Sequence, residues 1–225
     1  MLKKDLGLLI LIIVVGAVVA IINPRFLSTI NIANTANLVG LFGLFAIGQG
    51  FVIITGGIEL SSGSVIALLG VIFIDLIANR GVPWPLAALI VVVLGFIMGF
   101  VHALLITRLR MQPFVVTLCG LLICRGVARF YTADGTAGFP FGVHFDDLEF
   151  LTTGRTDFLS LVSGGHLQSV PLPHSFILML IVGIVMWVVM HRSVFGRYLY
   201  AVGKNEEAAR FSGIRTGRVI IAAYV

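Results

Sequence analysis

The chain has 225 residues, 59% of them hydrophobic and 11% charged, and a formal net charge of +5. A mean hydropathy of +1.10 leaves too little polar surface to cover a globule, which excludes a chain wetted on all sides and indicates a membrane protein. The basic residues gather at the ends of apolar runs, where they report orientation, so the charge lends nothing to a nucleic-acid partner.

In chain order the apolar runs are Leu6–Ile22, Leu38–Thr55, Val65–Ala78, Trp84–Thr107, Phe114–Tyr131 and Ser175–Met190. Most approach the ~17 to 25 residues a helix needs to cross the hydrocarbon core, and Val65–Ala78 is short. The expected fold class is all-α, a polytopic transmembrane helical bundle of about six spans forming one transmembrane domain over residues 1–225. Lys3 and Lys4 precede the first run as in a secretory signal, but no small-x-small cleavage site follows before Asn23-Pro24, so a retained first span is expected.

With the N-terminus in the cytoplasm, the inner side carries Lys3, Lys4, Arg108, Arg110, Arg192, Arg197, Lys204, Arg210, Arg215 and Arg218, and the outer loops carry Arg25, Arg80 and Arg155. That asymmetry predicts a cytoplasmic N-terminus. Residues 131–174 then form an extracytoplasmic loop, acidic and too long for a simple turn, that is either a vestibule or docking surface or a solvated connection. Residues 191–218 form a cytoplasmic loop. Only Val219–Val225 follow, which is the opening of another span, and a C-terminally truncated chain is expected.

Covalent chemistry has no foothold in these residues. The nearest approach to a nucleotide loop, Gly203-Lys204-Asn205, lacks the spacing and the hydroxyl. Five histidines are scattered without metal-ligand spacing, there is no G-x-S-x-G elbow, and Cys119 and Cys124 on one helix are expected to be free thiols. No catalytic residue, metal site or cofactor of the chain's own is expected.

Two segments stand out. In "GGIELSSGS" the pair Gly56 and Gly57 ends the second run, since glycine costs a helix about 1 kcal/mol relative to alanine and frees the backbone to turn. Ser61, Ser62 and Ser64 around Gly63 are candidate caps of the next helix, with Glu59 near its positive end. A carboxylate in the bilayer centre costs about 2.5 to 3.5 kcal/mol, and glycine-broken spans point to translocation sites. Gly56, Gly57, Glu59, Ser61, Ser62, Gly63 and Ser64 therefore form either a pathway or gating element or the wetted inner turn of a hairpin.

The second segment is "GRYLYAVGKNEEAARFSGI". Asn205 is suited to an N-cap, Glu206 and Glu207 complement the helix dipole, and Gly213 stands where a C-terminal glycine belongs. So short a helix is marginal alone. Its small residues, Ala208 and Ala209 beside Arg210, suit either insertion into a groove on another protein or an ordinary capped loop.

Together, "GQGFVIITGGIELSSGS", "MQPFVVTLCGLLICRGVA" and "GRYLYAVGKNEEAARFSGI" resemble the permease subunits of bacterial ABC importers for monosaccharides, of the ribose, xylose and galactose type, from about Asn31 to the end of the chain. That family usually has aspartate where Glu59 stands and often an apolar residue at Ser62. The resemblance implies a multi-pass protein of the bacterial inner membrane, paired with a second permease as a homo- or heterodimer. It also implies a cytoplasmic ATP-binding subunit that holds and hydrolyses the ATP, and a periplasmic sugar-binding protein. The coupling helix that seats in the ATPase then corresponds to Gly203, Asn205, Glu206, Glu207, Ala208, Ala209, Arg210, Ser212 and Gly213. The rival expectation is an ATP-independent facilitator or ion-coupled carrier, with Glu59 as its proton or cation site.

Overall fold

The structure, a computed structural model, describes residues 2–138, 145–157 and 171–225, with side chains from Leu6 onward. Its helices are α1 (Leu2–Ile22), α2 (Thr29–Ile54), α3 (Ser62–Ala78), α4 (Trp84–Thr107), α5 (Pro113–Thr132), α6 (Asp146–Thr153), α7 (His174–Arg192), α8 (Val194–Lys204), α9 (Glu206–Phe211) and α10 (Thr216–Tyr224). The fold is an all-helical membrane bundle, as expected. Helices α2, α4, α5 and α7 are long and apolar enough to cross a bilayer, while the apolar stretches Leu6–Ile22 and Ser62–Ala78 are shorter. At 1.5 Å per residue, α3 is only about 26 Å long, somewhat less than a typical hydrocarbon core.

The described residues divide into two compact units, residues 1–44 with 146–182 and residues 45–145 with 183–225, so α2 and α7 each contribute to both. In the first unit, Pro24–Leu27 forms a single 3-10 turn capped by the Asn23 side chain, which accepts from Arg25 N–H. Helix α2 then begins at Thr29, nine residues before the apolar run. Its early asparagines fit there because their amides find partners: Asn31 donates to Phe26 O, Asn34 accepts from Arg155 and Asn37 accepts from Ser175 Oγ. At Gly40 the backbones of α2 and α7 meet so closely that a Cβ would overlap Ser175 and Phe176. This is the small-residue packing that lets membrane helices approach.

Part of the expected outer loop lies outside the described residues. What is described holds α6 and a two-residue antiparallel pair, β1 (Arg155–Thr156) with β2 (Leu172–Pro173), in the register Arg155 to Pro173 and Thr156 to Leu172. His174 fastens this pair, with one ring nitrogen 2.7 Å from Phe150 O and the other 2.8 Å from Thr156 Oγ1.

In the second unit α3 packs against α4 and α5, and α10 packs against α4. Leu68, Cys124 and Ala128 are buried together there, with Val65, Ile72 and Met98 against them. Both cysteines are free thiols, Cys119 exposed and Cys124 buried. At one end, Asp75 of α3 accepts from Asn79, Arg80 and the Tyr131 hydroxyl, and this network ties α3 to the end of α5. A second core joins α8, α9 and α10: Leu199, Val202, Ala209 and Val219 are buried, with Phe51 and Ile54 of α2 among the side chains packed on them.

Candidate functional site

The turn after α2 closes through its backbone. Gly57 N–H donates to Val52 O and Gly56 N–H to Ile53 O, each at 3.0 Å, with Gly56 at φ +80. These are the paired bonds of a Schellman motif, which caps carbonyls that would otherwise lack donors. Gly56 is needed for the left-handed conformation. Gly57 is needed for space, because a Cβ there would press on the Tyr224 hydroxyl at 2.5 Å and on Val52.

From Gly57 to Ser61 the chain is neither helix nor strand. The carboxylate of Glu59 folds back over this segment and accepts from Ser61 N–H and Ser61 Oγ, each at 2.5 Å. Serine capping of α3 was the sequence-based expectation, and the structure corrects it. Ser61 has a helical backbone (φ −82, ψ −18), and its own side chain makes no capping bond. The carboxylate instead takes an orphan amide at the positive end of α3, where an anion is favoured. Ser62 Oγ accepts from Gln49 of α2 at 2.7 Å, Ser64 Oγ donates to Ser61 O at 2.7 Å, and Gly63 is exposed with open space around it.

Four further residues surround this break, none of them expected there from the sequence. His102 of α4 lies with Nδ1 4.0 Å from Glu59 Oε2 and 3.5 Å from Ser61 Oγ, an ion-pair distance whenever the ring is protonated. The Glu59 and His102 side chains are only 10% and 12% exposed. Gly120 of α5 lets the imidazole in, since a Cβ there would collide with the ring. Thr117 of α5, fully buried, donates to Ile58 O at 3.1 Å while also reaching Pro113 O in its own helix. Tyr224 of α10 also donates to Ile58 O, at 3.4 Å.

The second segment forms as its local grammar predicts. Asn205 Oδ1 accepts from Ala208 N–H at 2.9 Å, which caps α9. At the other end Gly213, at φ +85, donates to Arg210 O, and Ile214 N–H donates to Ala209 O at 3.1 Å, a second Schellman closure. Glu206, Glu207, Ala208, Arg210 and Ser212 are exposed, whereas Ala209 is buried in the core shared with Leu199, Val202 and Val219. The two alanines therefore differ, Ala208 open to a partner and Ala209 turned into the core. Phe211, not singled out in the sequence, is 80% exposed with the Arg210 guanidinium 5.8 Å from its ring.

The two segments border one space. A cavity of about 590 Å³ has Thr55, Gly56 and Gly57 on one wall, Thr107 and Arg110 at the end of α4, Thr216 and Tyr224 on α10, and Glu206, Glu207 and Arg210 of α9 opposite. Its lining offers hydroxyls, two guanidinium groups and two carboxylates, a set able to hydrogen-bond polar solutes or water. Among the described residues no group of three or more histidine, cysteine or carboxylate side chains is placed to hold a metal ion.

The ribose import permease protein RbsC of Bacillus subtilis (strain 168) is 37% identical over 97% of this chain and 62% of its own length. The inner membrane ABC transporter permease protein YjfF of Escherichia coli (strain K12) is 34% identical over 100% of this chain and 65% of its own. The autoinducer 2 import system permease protein LsrD of Escherichia coli O9:H4 (strain HS) is 31% identical over 98% of this chain and 63% of its own. The chain thus spans somewhat less than two thirds of the length of these relatives. No solved structure matches it. The family described as branched-chain amino acid transport system / permease component matches residues 31–225, which include both capped segments and the helices around them, and the chain belongs to that family.

Proposed function

We propose that the chain is the membrane-spanning part of an ATP-binding-cassette importer that passes a monosaccharide across the bacterial inner membrane. The observation that carries this reading is the pairing of a helix break held by polar side chains with a separately capped, exposed helix across a shared cavity. The names of the relatives, ribose and autoinducer 2 import permeases among them, support the substrate class.

In this reading the chain does no covalent chemistry and carries no cofactor. A cytoplasmic ATP-binding subunit docks on Asn205–Gly213 and hydrolyses ATP, a periplasmic binding protein delivers the sugar, and a second permease, the same or different, completes the pore. The N-terminus lies in the cytoplasm. Gly56–Ser64 is the gating element: the Gln49–Ser62 bond is worth about 0.5 to 1.5 kcal/mol net and those from Ser61 to the Glu59 carboxylate about 1.5 to 3, small enough to be exchanged for bonds to sugar hydroxyls as the helices rock.

A facilitator or ion-coupled carrier, with Glu59 as its ion site, predicts a different energy source. Labelled ribose uptake is measured in cells expressing the importer from its native locus, with ATP depleted or with the proton gradient collapsed. The importer reading expects uptake to stop on ATP depletion and to survive loss of the gradient. The opposite pattern replaces it with the carrier.

A further inference from the structure

Resting on the importer reading, we propose that Gly203 is the bearing point through which the docking segment pushes on the break after α2, with Tyr224 as a second bearing on the far side of that break. Both are positioning residues. Gly203 lies in the last turn of α8, two residues before the cap of the docking helix, and its Cα sits so close to Ile54 that a Cβ would overlap the Ile54 carbonyl oxygen. Ile54 is the last residue of α2, immediately before the Thr55–Gly57 turn. A glycine inside a helix costs about 1 kcal/mol relative to alanine, and here that cost secures a backbone-to-backbone contact with no soft side chain between.

Tyr224 stands on the helix that follows the docking segment. Its hydroxyl donates to Ile58 O and abuts Gly57, so the turn is gripped at Ile54 from α8 and at Gly57–Ile58 from α10. The two grips belong to one body. Helices α8, α9 and α10 share the Leu199, Val202, Ala209 and Val219 core, with Ile54 of α2 packed on it. Close-packed side chains transmit displacement because they compress little. The cavity of about 590 Å³ between α9 and the turn is open volume beside that body. A push on α9 therefore has a stiff path to the break.

The test uses G203A and Y224F in the complete importer, expressed from its native locus with its ATPase and binding-protein partners. Three quantities are measured: permease in the membrane, ATP hydrolysis and sugar uptake. G203A wedges α8 away from α2 and leaves the exposed face of α9 unaltered. Uptake per ATP hydrolysed is expected to fall roughly fivefold or more, the scale of a typical coupling between sites, with the permease level near wild type. Y224F removes one hydroxyl and is expected to lower the same ratio by less. A merely structural glycine lowers permease, hydrolysis and uptake in proportion, and that pattern in both variants overturns the proposal, as does a wild-type ratio in both. If G203A fails to accumulate, the ratio in Y224F decides alone. Wild-type importer that takes up sugar without ATP removes the importer reading itself, a result visible before either variant is made.

Discussion

At the scale of single residues, Glu59 is held by its own loop. One carboxylate oxygen serves the Ser61 amide and hydroxyl, and the other faces His102. Glutamine keeps an oxygen for Ser61 and alanine keeps none. In detergent, E59A is expected to lose about 1 to 2 kcal/mol of stability, the usual cost of stripping a cap, whereas E59Q stays within about 0.5 kcal/mol of wild type. Thermal unfolding of the purified protein measures the difference. Uptake that falls much further in E59Q than its stability does would mean that the charge itself serves transport. How much of this was legible varies residue by residue. Gly56 and Gly57 announced the break because a turn is local, and the acid beside them was conspicuous in hydrocarbon. His102, Thr117 and Tyr224 were invisible because each lies 41 residues or more from its partner in the loop, and only the packing of α4, α5 and α10 brings them back.

At the scale of elements, α9 is six residues long and exists by virtue of its two ends. Asn205 supplies the first closure and the Gly213–Ile214 backbone the second. N205A is expected to weaken the helix by about 1 kcal/mol, so amide exchange across Ala208–Phe211 should quicken roughly fivefold while α8 and α10 are unchanged. Hydrogen exchange read by mass spectrometry resolves that segment. Both ends were legible in the sequence because caps are written in adjacent residues. The inward turn of Ala209 was not, since it depends on Leu199 and Val219 in other helices. A bulky residue at Ala209 overpacks that core, costing about 1 to 3 kcal/mol, and so probes folding. Ala208, Arg210 and Phe211 are the positions that probe docking. The start of α2 at Thr29, ahead of the apolar run, rests likewise on distant partners, with Asn34 and Asn37 satisfied by Arg155 and Ser175.

At the scale of the molecule, every expected apolar run became a helix, because hydrophobic length is the strongest signal a membrane chain carries. The β1–β2 pair escaped notice since two residues per strand leave no alternation to read. The proposed cytoplasmic N-terminus is open to test: a thiol reagent that cannot cross the bilayer should label a cysteine placed at Arg155 in intact cells and one at Lys204 only after permeabilisation. Labelling of Lys204→Cys in intact cells would invert the arrangement. One small contact bears on the integrity of the whole barrier. A backbone that leaves the helix within a membrane normally draws in water to serve its bare carbonyls. Thr117, completely buried, and Tyr224 serve the Ile58 carbonyl in its place. The Ile58 carbonyl therefore needs no water of its own where the helix breaks, and the joint calls for that much less solvent in the barrier around it.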